Sequence, residues 1–141
     1  VDARTVHFPI EVPKDGEVCL PLWKVKLRVA RSARLESFFS KQEERMGVAF
    51  DADRLHLQLS LAAPRLNQRF APFGLGGHKK VGDLLSDYHI PQPLRSVWPV
   101  LYHGDDVAWV VGIRRGALAP IVKGTQNLLT IHLNEALPTY S

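Results

Sequence analysis

A β-rich α+β domain is what the sequence predicts, and three observations predict it. Apolar and polar side chains alternate over several short runs, two β-rich runs flank a turn-forming tetrad, and one stretch carries helical periodicity. Over residues 23–29 the alternation is strict, with Trp23, Val25, Leu27 and Val29 on one face and Lys24, Lys26 and Arg28 on the other. Successive side chains of a strand point to opposite faces, so this run is a strand with one face on a core. The same period groups Leu55, Leu57, Leu59 and Leu61, and again Leu129, Ile131 and Leu133. Residues 97–102 and 107–111 flank His103-Gly104-Asp105-Asp106, which predicts a hairpin with Trp98 and Trp109 as core residues. Over residues 79–89, Val81, Leu84, Leu85 and Tyr88 fall at i, i+3, i+4 and i+7, the spacing of an amphipathic helix. Pro91 and Pro93 end it, because proline removes a donor and disfavours helix in the residue before it. Residues 33–46 read as a second helix or as the arm of a long hairpin.

The 141 residues, 45% of them hydrophobic, suffice for one buried core, and no linker, repeat or low-complexity tract divides them; a single domain over 1–141 is expected. No apolar run approaches the roughly 18 residues of a membrane span, and the first residues lack the apolar stretch of a secretion signal. The single Cys19 has no partner for a disulfide and no second cysteine at metal-ligand spacing, which points to a reducing cytoplasm. Net charge is +4, and the excess lies in residues 64–123, with eight Lys/Arg against four Asp. That distribution fits a polyanionic partner.

Gly74, Gly76 and Gly77 lead into the helical stretch, with Lys79 and Lys80 expected in its first turn. Cations there oppose the macrodipole, at a cost of about 0.3–1 kcal/mol each, so their presence needs a reason other than stability. Free backbone N–H groups at a helix start, with two lysines beside them, make a phosphate site. The alternative is that the lysines lie outside the first turn and are merely solvated. A nucleotide-binding P-loop is not an option, because its Gly-x-x-x-x-Gly-Lys-Ser/Thr spacing is absent.

The run Asn67-Gln68-Arg69-Phe70-Ala71-Pro72-Phe73-Gly74, then Gly77-His78-Lys79-Lys80-Val81 and Asp83-Leu84-Leu85, resembles the C-terminal region of bacterial tRNA(Ile)-lysidine synthase. The order continues through Ile90-Pro91, Leu94-Arg95, Trp98-Pro99-Val100 and Trp109-Val110-Val111-Gly112-Ile113-Arg114, with Phe50-Asp51-Ala52-Asp53 upstream. The resemblance implies a β-rich sandwich-like core flanked by helices, similar to a module of the phenylalanyl-tRNA synthetase β subunit. It further implies a tRNA-binding domain of an enzyme that uses ATP to join lysine to the wobble cytidine of tRNA(Ile). ATP and lysine would bind a catalytic N-terminal domain whose Ser-Gly-Gly-x-Asp-Ser loop is absent here, so no cofactor and no catalytic residue is expected in this chain. Expected partners are tRNA(Ile) and that catalytic domain.

The expected RNA-binding set is Lys79, Lys80, Arg69, Arg95, Arg114, Arg115 and His78, positioning an A-form duplex by its phosphates. For Arg69 and Arg95 an internal fork onto carbonyls or a carboxylate is an equal alternative, and for Arg114-Arg115 a solvated strand end. Asn67-Gln68 stands where the family has Gly-Asp, which predicts either weaker phosphate contact or a differently built turn. Two rival functions are an interdomain scaffold and an aminoacyl-tRNA hydrolase. The second has no nucleophile motif or paired histidines behind it.

Overall fold

Strict alternation over Val25, Leu27 and Val29 does build a strand, β3 (Val25–Ser32), with those three side chains buried and Lys26 and Arg28 exposed. Trp23 falls in the turn before it, where Lys24 has a φ of 55°, and packs edge-on to Trp98 at 5.9 Å between ring centroids. The computed structural model describes residues 8–20, 22–32 and 45–137. The 33–46 reading lies almost wholly outside them.

Two antiparallel sheets face each other across one core. One has four strands in the order β2 (Gly16–Leu20), β3, β11 (Leu128–Leu133), β4 (Gly47–Asp51). The other has five, β1 (Ile10–Glu11), β5 (Leu59–Ala62), β8 (Val100–His103), β9 (Asp106–Val110), β10 (Arg114–Arg115). Val25, Leu27, Val29, Phe50 and Ile131 of the first sheet and Leu61, Val100, Leu101 and Trp109 of the second belong to a single buried cluster. Burial of each large apolar side chain contributes roughly 1.5–3 kcal/mol against the entropy of ordering it. The sandwich and its flanking helices thus agree with the expected class.

The predicted hairpin is β8–β9, turning at Gly104 and Asp105, with Gly104 at a φ of 60°. Trp98 and Trp109 are fully buried, and Trp98 Nε1 donates to the Val111 carbonyl at 3.0 Å. Leu59 and Leu61 lie on a core face as predicted, but Leu55 and Leu57 precede the strand and Leu57 is half exposed. A 3-10 turn at Ala52–Arg54, capped by Asp51, ends at Leu55, and strand pairing begins only at Leu59.

A third, two-stranded ribbon pairs β6 (Arg69–Phe70) with β7 (Lys79–Lys80) and leads into helix α1 (Val81–Asp87). Lys79 and Lys80 therefore precede the helix instead of occupying its first turn. Lys80 is its N-cap residue, extended at φ −75° and ψ 141°, because pairing with Arg69 holds it in strand geometry. The helix buries Val81, Leu84 and Leu85 as its period requires. Pro91 and Pro93 do not simply stop the chain: Pro93 sits in the first turn of a second short helix, α2 (Gln92–Arg95), where a missing N–H costs nothing.

Segment 115–119 joins the layers. On one side Phe73 N–H donates to the Arg115 carbonyl and Ala117 N–H to the Ala71 carbonyl, at 3.0 and 2.8 Å. On the other, Asp51 N–H donates to the Ala119 carbonyl at 2.9 Å, which covers part of the outer edge of β4.

Candidate nucleic-acid interface

Period-two geometry sorts the ribbon's four side chains. Phe70 and Lys79 are cross-strand partners on one face; Arg69 and Lys80 are partners on the other. Phe70 is buried against the core, so its face points inward. Lys79 follows it, is only 31% exposed, and forms an ion pair with Asp87 at the end of α1. Arg69 and Lys80 both face solvent, and neither has a carboxylate partner among the described residues.

Direct opposition of two cations destabilises a strand pair by about 0.2–1 kcal/mol. It is therefore a feature that folding alone does not favour. It replaces the macrodipole argument, because the lysines lie outside the helix. The helix start is itself occupied: Val81 N–H donates to the Gln68 carbonyl and Gly82 N–H to the Leu66 carbonyl, at 3.0 and 2.9 Å. Those two donors are not open to a phosphate.

The remaining expected residues are dispersed by the fold. Exposed His78 adjoins the ribbon at the end of the loop from β6, in which Gly74 and Gly76 adopt φ values of 80° and 76°. Arg95, partly buried, donates through Nε to the Ile90 carbonyl at 2.7 Å. Arg114 donates to the Phe73 carbonyl at 2.8 Å and so ties down the root of that loop. Arg115 is an interior residue. Its guanidinium donates to the carbonyls of Ala49, Gly116 and Leu118 at 2.5, 3.0 and 2.7 Å, and lies between the Phe50 and Phe73 rings at 4.5 and 4.8 Å. All three nitrogens are engaged, so Arg115 leaves the surface set. Of the internal contacts anticipated for Arg69 and Arg95, Arg95 makes one bond to a carbonyl, and the full fork belongs to Arg115.

Sequence reasoning missed the lock beside the ribbon. Arg65 meets Asp105 at 3.3 Å and lies over the Tyr102 ring at 5.2 Å, while Gln68 Nε2 donates to the Asp105 carbonyl at 2.6 Å. Residues 65–68 form a turn closed by the Gln68 N–H to Arg65 carbonyl bond at 2.9 Å. Asn67 and Gln68, which stand where the family has Gly-Asp, are the last two residues of this turn. The Tyr102 hydroxyl accepts from Arg65 N–H at 3.1 Å; burial pushes it above the ordinary phenol range, Arg65 offsets this in part, and it stays neutral. Across the same hairpin turn, His103 Nε2 accepts from Leu57 N–H at 3.0 Å. Burial holds His103 below the usual imidazole range, His56 adds to the effect, and Asp106 opposes it.

No helix among the described residues is long and apolar enough to cross a membrane, and no three of their His, Cys, Asp and Glu side chains gather as a metal site. Large exposed apolar side chains lie at Leu66, Phe73 and Leu75, in the loops either side of β6; among the described residues of 8–30, only Leu22 is of this kind. What fold and surface define is a small two-sheet β-sandwich module with a basic ribbon on its flank. Residues 59–131 match the model of the TilS substrate C-terminal domain, just over half of the chain, and the chain belongs to that family.

Relatives named tRNA(Ile)-lysidine synthase are 33% identical over 84 residues in Clostridium tetani, 38% over 69 in Geobacter sulfurreducens and 33% over 114 in Symbiobacterium thermophilum. These alignments cover 60%, 49% and 77% of this chain but only 18%, 15% and 22% of those proteins, so the chain spans about a fifth of their length. A crystal structure of a TilS C-terminal domain superposes with a TM-score of 0.78 at 21% identity, covering 93% of this chain and 98% of that one. An N-terminal fragment of the phenylalanyl-tRNA synthetase β-subunit from Pyrococcus horikoshii gives 0.53 at 17% identity, over 62% and 27%. At such identities these likenesses establish the fold alone.

Proposed function

We propose that this chain is the tRNA-docking module of a cytoplasmic tRNA(Ile)-lysidine synthase, presenting tRNA(Ile) to a catalytic domain that binds ATP and lysine elsewhere in the parent protein. The observation that carries the reading is the cross-strand opposition of Arg69 and Lys80 on the outward face of the ribbon, neither of them in an ion pair with a carboxylate of the described residues. A phosphate chain laid across the ribbon neutralises both charges at once and removes their repulsion. Exposed His78 extends the surface, Arg95 and Arg114 supply charge further off, and Lys79 contributes once Asp87 releases it. The contacts are to backbone phosphates, so they position a duplex by shape and carry little sequence information.

Titrating labelled tRNA(Ile) with the chain at low and moderate salt tests this. Binding should weaken steeply with salt, and Arg69→Ala or Lys80→Ala should each lower the salt slope by about 1. Absence of binding at low salt would refute the reading. Binding with an unchanged slope in both variants would move the interface away from the ribbon.

A further inference from the structure

Between β6 and the start of β9 lies a cleft of about 250 Å³, walled by Phe70, Val107 and Leu118 and edged by Gln68, Arg69 and Asp106. Its origin is a strand that leaves. Segment 115–117 pairs with residues 71–73, which continue the outer edge of β6, through bonds from Phe73 to Arg115 and from Ala117 to Ala71. The next partner along that edge would serve Arg69, but the chain swings away so that the Ala119 carbonyl can accept from Asp51 N–H.

Arg69 is consequently left with an open edge. The Val81 N–H to Gln68 carbonyl bond makes Arg69 and Lys80 a pair that exchanges no backbone bonds. The N–H and C=O of Arg69 therefore point away from β7, to the side on which Ala71 meets Ala117. Beside them the Gln68 Oε1 atom is buried with no hydrogen-bond partner, while its amide nitrogen is committed to the Asp105 carbonyl. That commitment fixes which end of the amide is the acceptor. An unmet buried acceptor costs about 1–3 kcal/mol, which a donor from a ligand would recover.

We infer that this cleft is a pocket for one unpaired RNA base that carries an amino group beside a ring nitrogen, adenine or cytosine. The inference rests on the RNA-docking reading above. The amino group donates to Gln68 Oε1 with the Asp106 carboxylate as a second acceptor, and the ring nitrogen accepts from Arg69 N–H. The Gln68 and Asp106 acceptors suit the amino group of a base, while His78, also on the rim, and the Arg69 and Lys80 side chains meet the phosphates that flank it. The volume lies below the range of roughly 300–1,000 Å³ that holds larger ligands, and is right for a single ring system. A peptide strand does not fit, since the gap is one residue long, closed by the Ala71–Ala117 bond at one end and the Gln68–Asp105 bond at the other. Splaying a base into a pocket and reading its edge is how single-stranded RNA is usually recognised.

The test compares a fluorescein-labelled blunt RNA hairpin with the same hairpin bearing one unpaired 3′ adenosine or uridine, titrated with the whole chain. Adenosine should tighten binding about tenfold over the blunt form, the effect of roughly one good hydrogen bond to a buried group, and uridine should not. Gln68→Met removes the acceptor together with the bond to Asp105, and Ala117→Leu, which keeps that bond, fills the cleft without touching a hydrogen-bonding side chain. Each should erase the gain and leave blunt-hairpin affinity as it was. Equal affinity for blunt and adenosine hairpins, an equal gain from uridine, or a gain that survives both variants would overturn the pocket while phosphate docking stood. No binding of any hairpin at low salt would overturn both.

Discussion

The Arg115 guanidinium, carried on the last strand of the five-stranded sheet, donates to the Ala49 carbonyl on the outermost strand of the other sheet at 2.5 Å. Its remaining nitrogens hold the Gly116 and Leu118 carbonyls, and its central carbon lies over the Phe50 and Phe73 rings. Lysine has neither the fork nor the flat face. Arg115→Lys should destabilise the fold by about 3 kcal/mol, through buried carbonyls left without a donor. A urea midpoint equal to that of the parent chain would show that other donors replace it.

The opposed cations of the ribbon give a prediction of two signs. Lys80→Glu converts a repulsive cross-strand pair with Arg69 into an attractive one, so thermal stability at low salt should rise by up to ~1 kcal/mol. RNA affinity should fall in the same variant. A variant that lost stability and kept affinity would contradict both halves.

Gly82 presents the opposite case, in which a better helix former makes the protein worse. A Cβ there would lie 2.9 Å from the Leu66 carbonyl oxygen and 3.3 Å from Leu66 Cβ. Gly82→Ala gains about 1 kcal/mol of helix propensity but pushes the 65–68 turn off the helix start. We expect a net loss of roughly 1 kcal/mol in chemical denaturation, where an overpacked site typically costs 1–3. A higher midpoint would show that the turn yields freely.

His103 makes stability depend on pH in a stated direction. Its folded-state pKa lies below the ordinary 6.5, so the unfolded chain binds the proton more readily. The contribution is intact above about 6.5 and is lost as pH falls through that value towards the folded pKa. His103→Gln keeps an acceptor for Leu57 N–H but does not titrate, so its melting temperature should fall less between pH 7 and 5. Parallel melting curves for the two proteins over that range would remove His103 as the cause.

Where structure follows from neighbours in sequence, the sequence was enough to see it. The Val25, Leu27 and Val29 face, the hairpin at residues 103–106 and the buried side of α1 all rest on spacings of a few residues. The start of α1 does not, because Lys80 is extended through pairing with Arg69, eleven positions earlier. A four-residue helical pattern cannot reveal that. Arg114-Arg115 reads as a charged strand end, and only the contact with Ala49, 66 positions away, makes Arg115 an interior residue. Gln68 looks like a lost charge until Asp105, 37 positions on, shows what its amide holds.

The ribbon is fastened to the body largely by main-chain bonds: Val81 to Gln68, Gly82 to Leu66, Ala117 to Ala71 and Phe73 to Arg115. Main-chain bonds are indifferent to what the side chains are. Arg69, His78 and Lys80 consequently carry little architectural duty, and each can be exchanged while the sandwich beneath keeps its shape. The charge of the strip can thus be edited residue by residue without unpicking the scaffold that holds it.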